Sequence, residues 1–304
     1  MIKHCRVLTL LLLSGFVFSV PAQNVTAAKI ERNVVYAMYS GLALTMDVYA
    51  PERPNGLGII FIHGSGWSAE LGPDARPLKE GEQTKIYGEP LVKAGYTVFA
   101  INHRAAPRFR YPAQVEDAQR AVRFVRHHAQ RFGIDPARIG AVGGSSGGHL
   151  VSMLGAMDGK GDPHDPSPIN RASAKVQCVV ARAAPLDFVQ MWKDVGTTIG
   201  SIPLFGFGLG TDKNSLEYKQ YIEASPITYV SADDPPFLLL HGDADKVVPF
   251  NQSEVFEAAL RKANVKTKLI RVVGGAHGPK FDGAVNPPDY IGEMIAWLNQ
   301  SLKP

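Results

Sequence analysis

The residues best suited to chemistry are a hydroxyl between glycines, a carboxylate and an imidazole, met in that order along the chain. Residues 138–157 read RIGAVGGSSGGHLVSMLGAM, an apolar run, then a glycine cluster holding Ser145 and Ser146, then a helical pattern. A strand, a tight turn and a helix with a hydroxyl at the apex follow from that pattern. Glycines let the backbones crowd at such a turn, and the helix start offers N–H groups to an anion. Two G-x-S-x-G frames fit, one centred on Ser145 and one on Ser146; Ser145 is preferred because it directly follows the strand, and Ser146 stays open as the alternative. Acyl transfer by serine needs a base, a carboxylate that holds the base in its useful tautomer, and N–H donors for the oxyanion. Asp245 and His277, each just beyond a predicted strand, meet the first two needs. The backbone N–H groups of Ser65, Gly66 and Ser146 meet the third.

Each assignment has rivals. Asp243 is closer to its strand end and reads as shaping the turn, and Asp187 stands one strand earlier. His63 and His241 close strands, where a buried, hydrogen-bonded imidazole is the ordinary reading. His103 sits beside a strand end and His149 inside the helix of the turn. His277 alone has both a glycine-rich loop, Gly274 to Gly278, and the terminal position that a base needs.

The elements that position these groups alternate. Residues 33–50 form two alternating strands around Ser40-Gly41, a hairpin signal. The apolar runs 58–62, 96–101, 138–144, 176–184, 237–240 and 267–273 suit strands buried on both faces of a mostly parallel sheet. Between them lie helical patterns, among them one opened by Pro112 with Val115, Ala118, Val122 and Val125 on one face. Its Arg120, Arg123 and Arg126 read as a solvated face. The fold class expected is α/β, a mostly parallel central sheet with helices on both faces. Residues 68–89 read as a solvated excursion near the site entrance. Residues 186–222 break the alternation and read as a small cap region, with Trp192, Phe205 and Phe207, and also Trp67, as an apolar wall for the substrate.

Composition sets the remaining bounds. With 304 residues and 45% hydrophobic content the chain has room for one large core. Residues 1–22 have the form of a secretory signal, with Lys3 and Arg6, an apolar stretch from Val7 to Val20, and small residues ending at Ala22. That predicts a mature domain of residues 23–304, secreted or periplasmic, with no membrane span. Cleavage removes two positive charges from a formal +4, leaving +2, too little to imply nucleic acid or an anionic membrane as partner. Of the two cysteines, Cys5 leaves with the signal, and Cys178 in an apolar run reads as buried filler. His164 between Asp162 and Asp165 lies in a proline-rich polar loop, which argues against a metal site. No cofactor is called for, and monomer and homodimer both remain open.

Several motifs together resemble the α/β-hydrolase carboxylesterases of the hormone-sensitive-lipase and feruloyl-esterase-like group: His63-Gly64-Ser65-Gly66-Trp67, Gly143-Gly144-Ser145-Ser146-Gly147-Gly148-His149-Leu150, Ala224-Ser225-Pro226, His241-Gly242-Asp243-Ala244-Asp245 with Val248-Pro249, and Gly275-Ala276-His277-Gly278. The likeness runs from about Val48 to Trp297. It implies an α/β-hydrolase fold, with Ser145 as nucleophile, His277 as base, Asp245 as acid, and Ser65, Gly66 and Ser146 as oxyanion amides. Two positions depart from the group's pattern: Ser65 stands where its first loop has a middle glycine, and Ser146 where an alanine usually follows the nucleophile. The expected function is an exported serine esterase acting on short-chain or aromatic small-molecule esters. A peptidase or amidase of the same fold, and a hydrolase-like binding protein, are the alternatives.

Overall fold

The computed structural model describes residues 29–70, 72–196 and 201–303. The expected signal segment, Cys5 and the cleavage point lie outside them. An antiparallel hairpin, β1 (Lys29–Tyr39) and β2 (Leu42–Ala50), opens the described chain and turns at Ser40-Gly41. After it come β3 (Gly58–Ile62), α1 (Glu89–Lys93), β4 (Thr97–Ile101), α2 (Ala113–His127), α3 (Ala129–Phe132), β5 (Ile139–Gly144), α4 (Ser146–Ala156) and β6 (Cys178–Arg182). Three short helices follow, α5 (Phe188–Val195), α6 (Ser201–Phe205) and α7 (Leu216–Glu223). The alternation then resumes with β7 (Phe237–Gly242), α8 (Asn251–Lys262), β8 (Thr267–Val272) and α9 (Tyr290–Leu302).

The strands make one sheet in the order β1-β2-β4-β3-β5-β6-β7-β8. β2 pairs antiparallel with β4, and every pairing from β4 through β8 is parallel. Because β3 to β7 are buried on both faces, their sequences are nearly continuous apolar runs rather than alternations. One core, on the side of α2, α4 and α8, includes Ile60, Val122, Leu150, Leu154 and Phe256. The other, on the side of α1 and α9, includes Ile59, Leu91, Val142, Leu298 and Leu302. Each such side chain taken from water contributes on the order of 1.5–3 kcal/mol, so the central strands are the most strongly held part of the molecule. This is the α/β-hydrolase fold. Its parallel order brings the carboxyl ends of β3, β5, β6, β7 and β8 to one edge of the sheet, where such folds bind ligands. Among the described residues, no helix is long and apolar enough to cross a membrane.

Two expectations are corrected. The arginines of α2 are not a solvated face. Arg120 donates to Asn170 Oδ1 (2.5 Å) and Arg123 to Ala172 O (3.1 Å). Arg126 donates to Pro136 O and Lys175 O, both at 2.8 Å, and to Ser173 O. Together they tie the polar loop 158–177 to the helix, and burial pulls the Arg126 pKa down to about 10. Planar, multi-donor guanidinium groups suit a loop whose carbonyls have no strand to pair with.

Residues 68–89 also differ from a free excursion. Lys79 is 1% exposed and pairs with the fully buried Asp47 of β2 at 2.6 Å. Thr84 and Tyr87 are buried as well. The second half of the stretch is thus packed against the sheet, and the periodicity missed it because its buried groups are mostly polar.

Candidate active site

The strand-to-helix turn is tightly built. Ser145 sits between β5 and α4 with φ 55° and ψ −124°, a strained conformation for a non-glycine residue. Its N–H donates to Arg182 O at 2.7 Å. A Cβ at Gly147 would stand 2.0 Å from Ile62 O, so only glycine lets α4 run this close to β3. Of the two frames, the apex belongs to Ser145, while Ser146 is already the first residue of α4 and is 1% exposed.

Ser145 Oγ lies 2.8 Å from His277 Nε2, and His277 Nδ1 lies 2.7 Å from Asp245 Oδ2. That network sets the tautomer: Nδ1–H donates to the carboxylate, and Nε2 accepts the serine proton. Asp245 is held in turn by the N–H groups of Val247 (2.8 Å) and Val248 (2.9 Å), both on Oδ1. Burial pushes its carboxyl pKa up, but hydrogen bonding with His241 and His277 outweighs this and holds it well below the usual carboxylate range. The acid therefore stays ionised behind the imidazole.

The three expected oxyanion amides do not behave alike. Ser65 N–H donates to Ser146 Oγ at 2.8 Å, so the hydroxyl standing in place of an alanine takes up that donor. Gly64 N–H donates to Gln83 Oε1 at 3.2 Å. Ser146 N–H, in the first turn of α4, has no acceptor within the helix. Positive φ falls at Gly66 (65°) and Trp67 (58°) rather than at Ser65, which explains how a serine is accommodated there. Gly66 and Ser146 are left as the amides free of protein acceptors among the described residues.

A cleft of about 360 Å³ opens at Ser145 and His277, walled by Trp67, Pro185, Met191, Val247 and Val248 and floored by Gln83 and Arg182. Beside it a chamber of about 630 Å³ shares Gly64, Ser65, Gln83 and Pro279 and adds His63, Ser68, Glu70, Arg76 and Glu82. Of the four aromatic residues expected to form the apolar wall, only Trp67 lines the cleft. Phe205 is 1% exposed and stacks on Tyr221 with ring centroids 4.2 Å apart. Trp192 meets Tyr221 edge-on, and Phe207 stacks on Phe205. These rings pack on each other behind the cleft, because burying one another removes more apolar area than lining an open wall. The cap segment reaches the cleft through Met191 instead, beside Pro185 just before its start.

The rival residues have other work. Asp243 accepts from Gly274 N–H (2.7 Å) and Arg271 Nε (2.8 Å), and Asp187 caps α5 through Gln190 N–H (2.9 Å). His149 accepts from Trp67 Nε1 at 3.0 Å and donates from Nε2 to Ala224 O at 2.8 Å. His241 bonds Ser253 Oγ and Val248 O, and His103 Nδ1 donates to Arg104 O. His63 departs from its expected role, since its buried Nδ1 has no hydrogen-bond partner; burial, aided by Arg182, lowers its pKa to about 4. No group of side chains among the described residues has the makings of a metal site. Sequence reasoning passed over Gln83 and Arg182. The signal for the latter was present: a charge closes the otherwise apolar strand Cys178–Arg182.

The chain is similar to known proteins in sequence and in fold. The BD-FAE family model matches residues 46–260. A Mycobacterium tuberculosis protein named probable carboxylic ester hydrolase LipM is 33% identical over 57% of this chain and 39% of its own length. Esterase LipQ of the same organism is 30% identical over 72% of this chain and 49% of its own. The chain thus spans about half or less of the length of these curated relatives. A solved structure, a truncated form of a carbohydrate esterase from gut microbiota, superposes with a TM-score of 0.75 at 31% identity, covering 92% of this chain and 99% of that one. With a match extending over more than half its length, the chain belongs to the BD-FAE family.

Proposed function

We propose that this protein is an exported serine carboxylesterase that hydrolyses short-chain or aromatic small-molecule esters through an acyl-enzyme. The observation that carries the reading is the contact of Ser145 Oγ with His277 Nε2 at 2.8 Å, with Asp245 2.7 Å behind the imidazole. His277 takes the Ser145 proton as Oγ attacks the ester carbonyl, and the ionised Asp245 stabilises the imidazolium. Gly66 and Ser146 N–H groups meet the oxyanion, each such donor contributing about 3–4 kcal/mol of transition-state stabilisation in enzymes where one has been removed. The imidazolium then protonates the departing alkoxide, and water, deprotonated by His277, releases the acid. The esterase names of the relatives support this chemistry.

The cleft wall of Met191, Val247 and Val248 suits a small acyl group, and the polar chamber beside it suits a hydroxylated alcohol. The similarity to a carbohydrate esterase agrees with such an alcohol. Hydrolysis of p-nitrophenyl esters from acetate to palmitate, with a feruloyl ester alongside, is expected to peak at short chains and to vanish in Ser145→Ala. A peak at long chains would contradict the acyl assignment, and amide cleavage without ester cleavage would favour a peptidase. Export rests on residues 1–22; protein recovered from outside the cytoplasm is expected to begin at Gln23, and a start at Met1 would remove that part of the reading.

A further inference from the structure

Arg182 closes β6 and is 3% exposed, yet among the described residues it forms no ion pair. A buried cation without a carboxylate is costly, so its retention needs a cause. Its guanidinium Nη1 donates to His277 O at 2.7 Å and Gly278 O at 3.2 Å. Its own carbonyl accepts Ser145 N–H at 2.7 Å. The guanidinium also lies against the turn itself: a Cβ on Gly144 would stand 2.8 Å from Arg182 Nε. One residue thus grips the backbone of the nucleophile with its main chain and the backbone of the base with its side chain.

The base needs such a grip. His277 lies in the loop after β8, in neither helix nor strand, and Asp245 fixes only its ring. Hydrogen bonds to Asp282 O from Ala276 N–H (2.9 Å) and to Pro279 O from Tyr87 Oη (2.5 Å) hold the residues on either side. The peptide carbonyl of His277 itself is held by Arg182. A shift of about 1 Å between reacting groups can cost on the order of 100-fold in rate.

We propose that Arg182 is a positioning residue for catalysis, a clamp that sets His277 at hydrogen-bond distance from Ser145 by joining the two loops that carry them. The proposal rests on the serine-esterase reading above. The test compares kcat and KM on p-nitrophenyl acetate for the native protein, Arg182→Met and Arg182→Lys, with unfolding followed in parallel. Arg182→Met is expected to fold and to lose about 100-fold in kcat, with KM within about threefold. Arg182→Lys, keeping one donor, is expected to fall between. Arg182→Ala is expected to regain rate with millimolar guanidinium but not with equal sodium chloride, because the cation re-enters through the cleft that Arg182 floors. Native kcat in a folded Arg182→Met would overturn the clamp, and so would a KM rise at constant kcat, which would make Arg182 a substrate-binding group. Should Arg182→Met fail to fold, Arg182→Lys and the guanidinium experiment decide: native kcat in the lysine variant, or no rescue of a folded alanine variant, counts against it. Activity surviving in Ser145→Ala would instead remove the underlying reading, whatever Arg182 does.

Discussion

At the scale of single residues, the site depends on groups held in one protonation state by their surroundings. His149 is fully buried under the nucleophile turn, donates from Nε2 to Ala224 O and accepts from Trp67, and burial lowers its pKa from 6.5 to about 4. The unfolded chain takes up a proton below about pH 6.5 that the native imidazole refuses until about pH 4. Stability contributed by the neutral ring is therefore present above pH 6.5 and lost as the pH falls through that window, at on the order of 1.4 kcal/mol per unit. Urea unfolding at pH 7.5 and 5.0 is expected to show this fall, and a flatter profile in His149→Gln; parallel profiles would place the effect elsewhere. The side chain of Ser146 shows why single-residue reading has limits. The sequence marked Ser65 N–H as an oxyanion donor, but the hydroxyl that takes up this N–H comes from a residue 81 positions away and appears only once the two loops meet.

At the scale of elements, the strands were legible because β3 to β7 are buried on both faces, so apolar content alone marks them. That Ser145, Asp245 and His277 come together was legible for a related reason: each follows a strand of the parallel part of the sheet, and parallel strands end on the same edge. What the pattern hid was polar burial. Lys79 against Asp47, and the α2 arginines against loop carbonyls, place charged residues where a hydropathy reading expects water. The cap aromatics erred in the other direction. Phe205 was expected to face substrate, but it is packed between Phe188 and Tyr221 with centroids 5.4 and 4.2 Å away. Phe205→Ala is accordingly expected to cost about 3–5 kcal/mol in unfolding free energy while the acyl-chain profile keeps its shape. A changed profile at unchanged stability, read from urea unfolding and ester kinetics on the same sample, would return Phe205 to the pocket.

At the scale of the whole molecule, one sheet edge collects Ser145 after β5, Arg182 at the end of β6, Asp245 from the turn after β7 and His277 from the loop after β8, the groups proposed as nucleophile, clamp, acid and base. The packed half of residues 68–89 lines the polar chamber through Leu78, Gly81, Glu82 and Gln83, and the chamber meets the cleft at Gly64 and Ser65. Division of labour follows from this layout: the rigid sheet fixes Ser145, and two loops bring its partners to it. The measurement that tests this most directly is mass mapping after reaction with a fluorophosphonate, with residual p-nitrophenyl acetate hydrolysis followed on the same sample. The expected result is a single adduct on Ser145, formed in step with loss of activity and absent in His277→Ala over the same time. An adduct on Ser146, or full labelling that leaves hydrolysis intact, would contradict the assignment of Ser145 as the nucleophile.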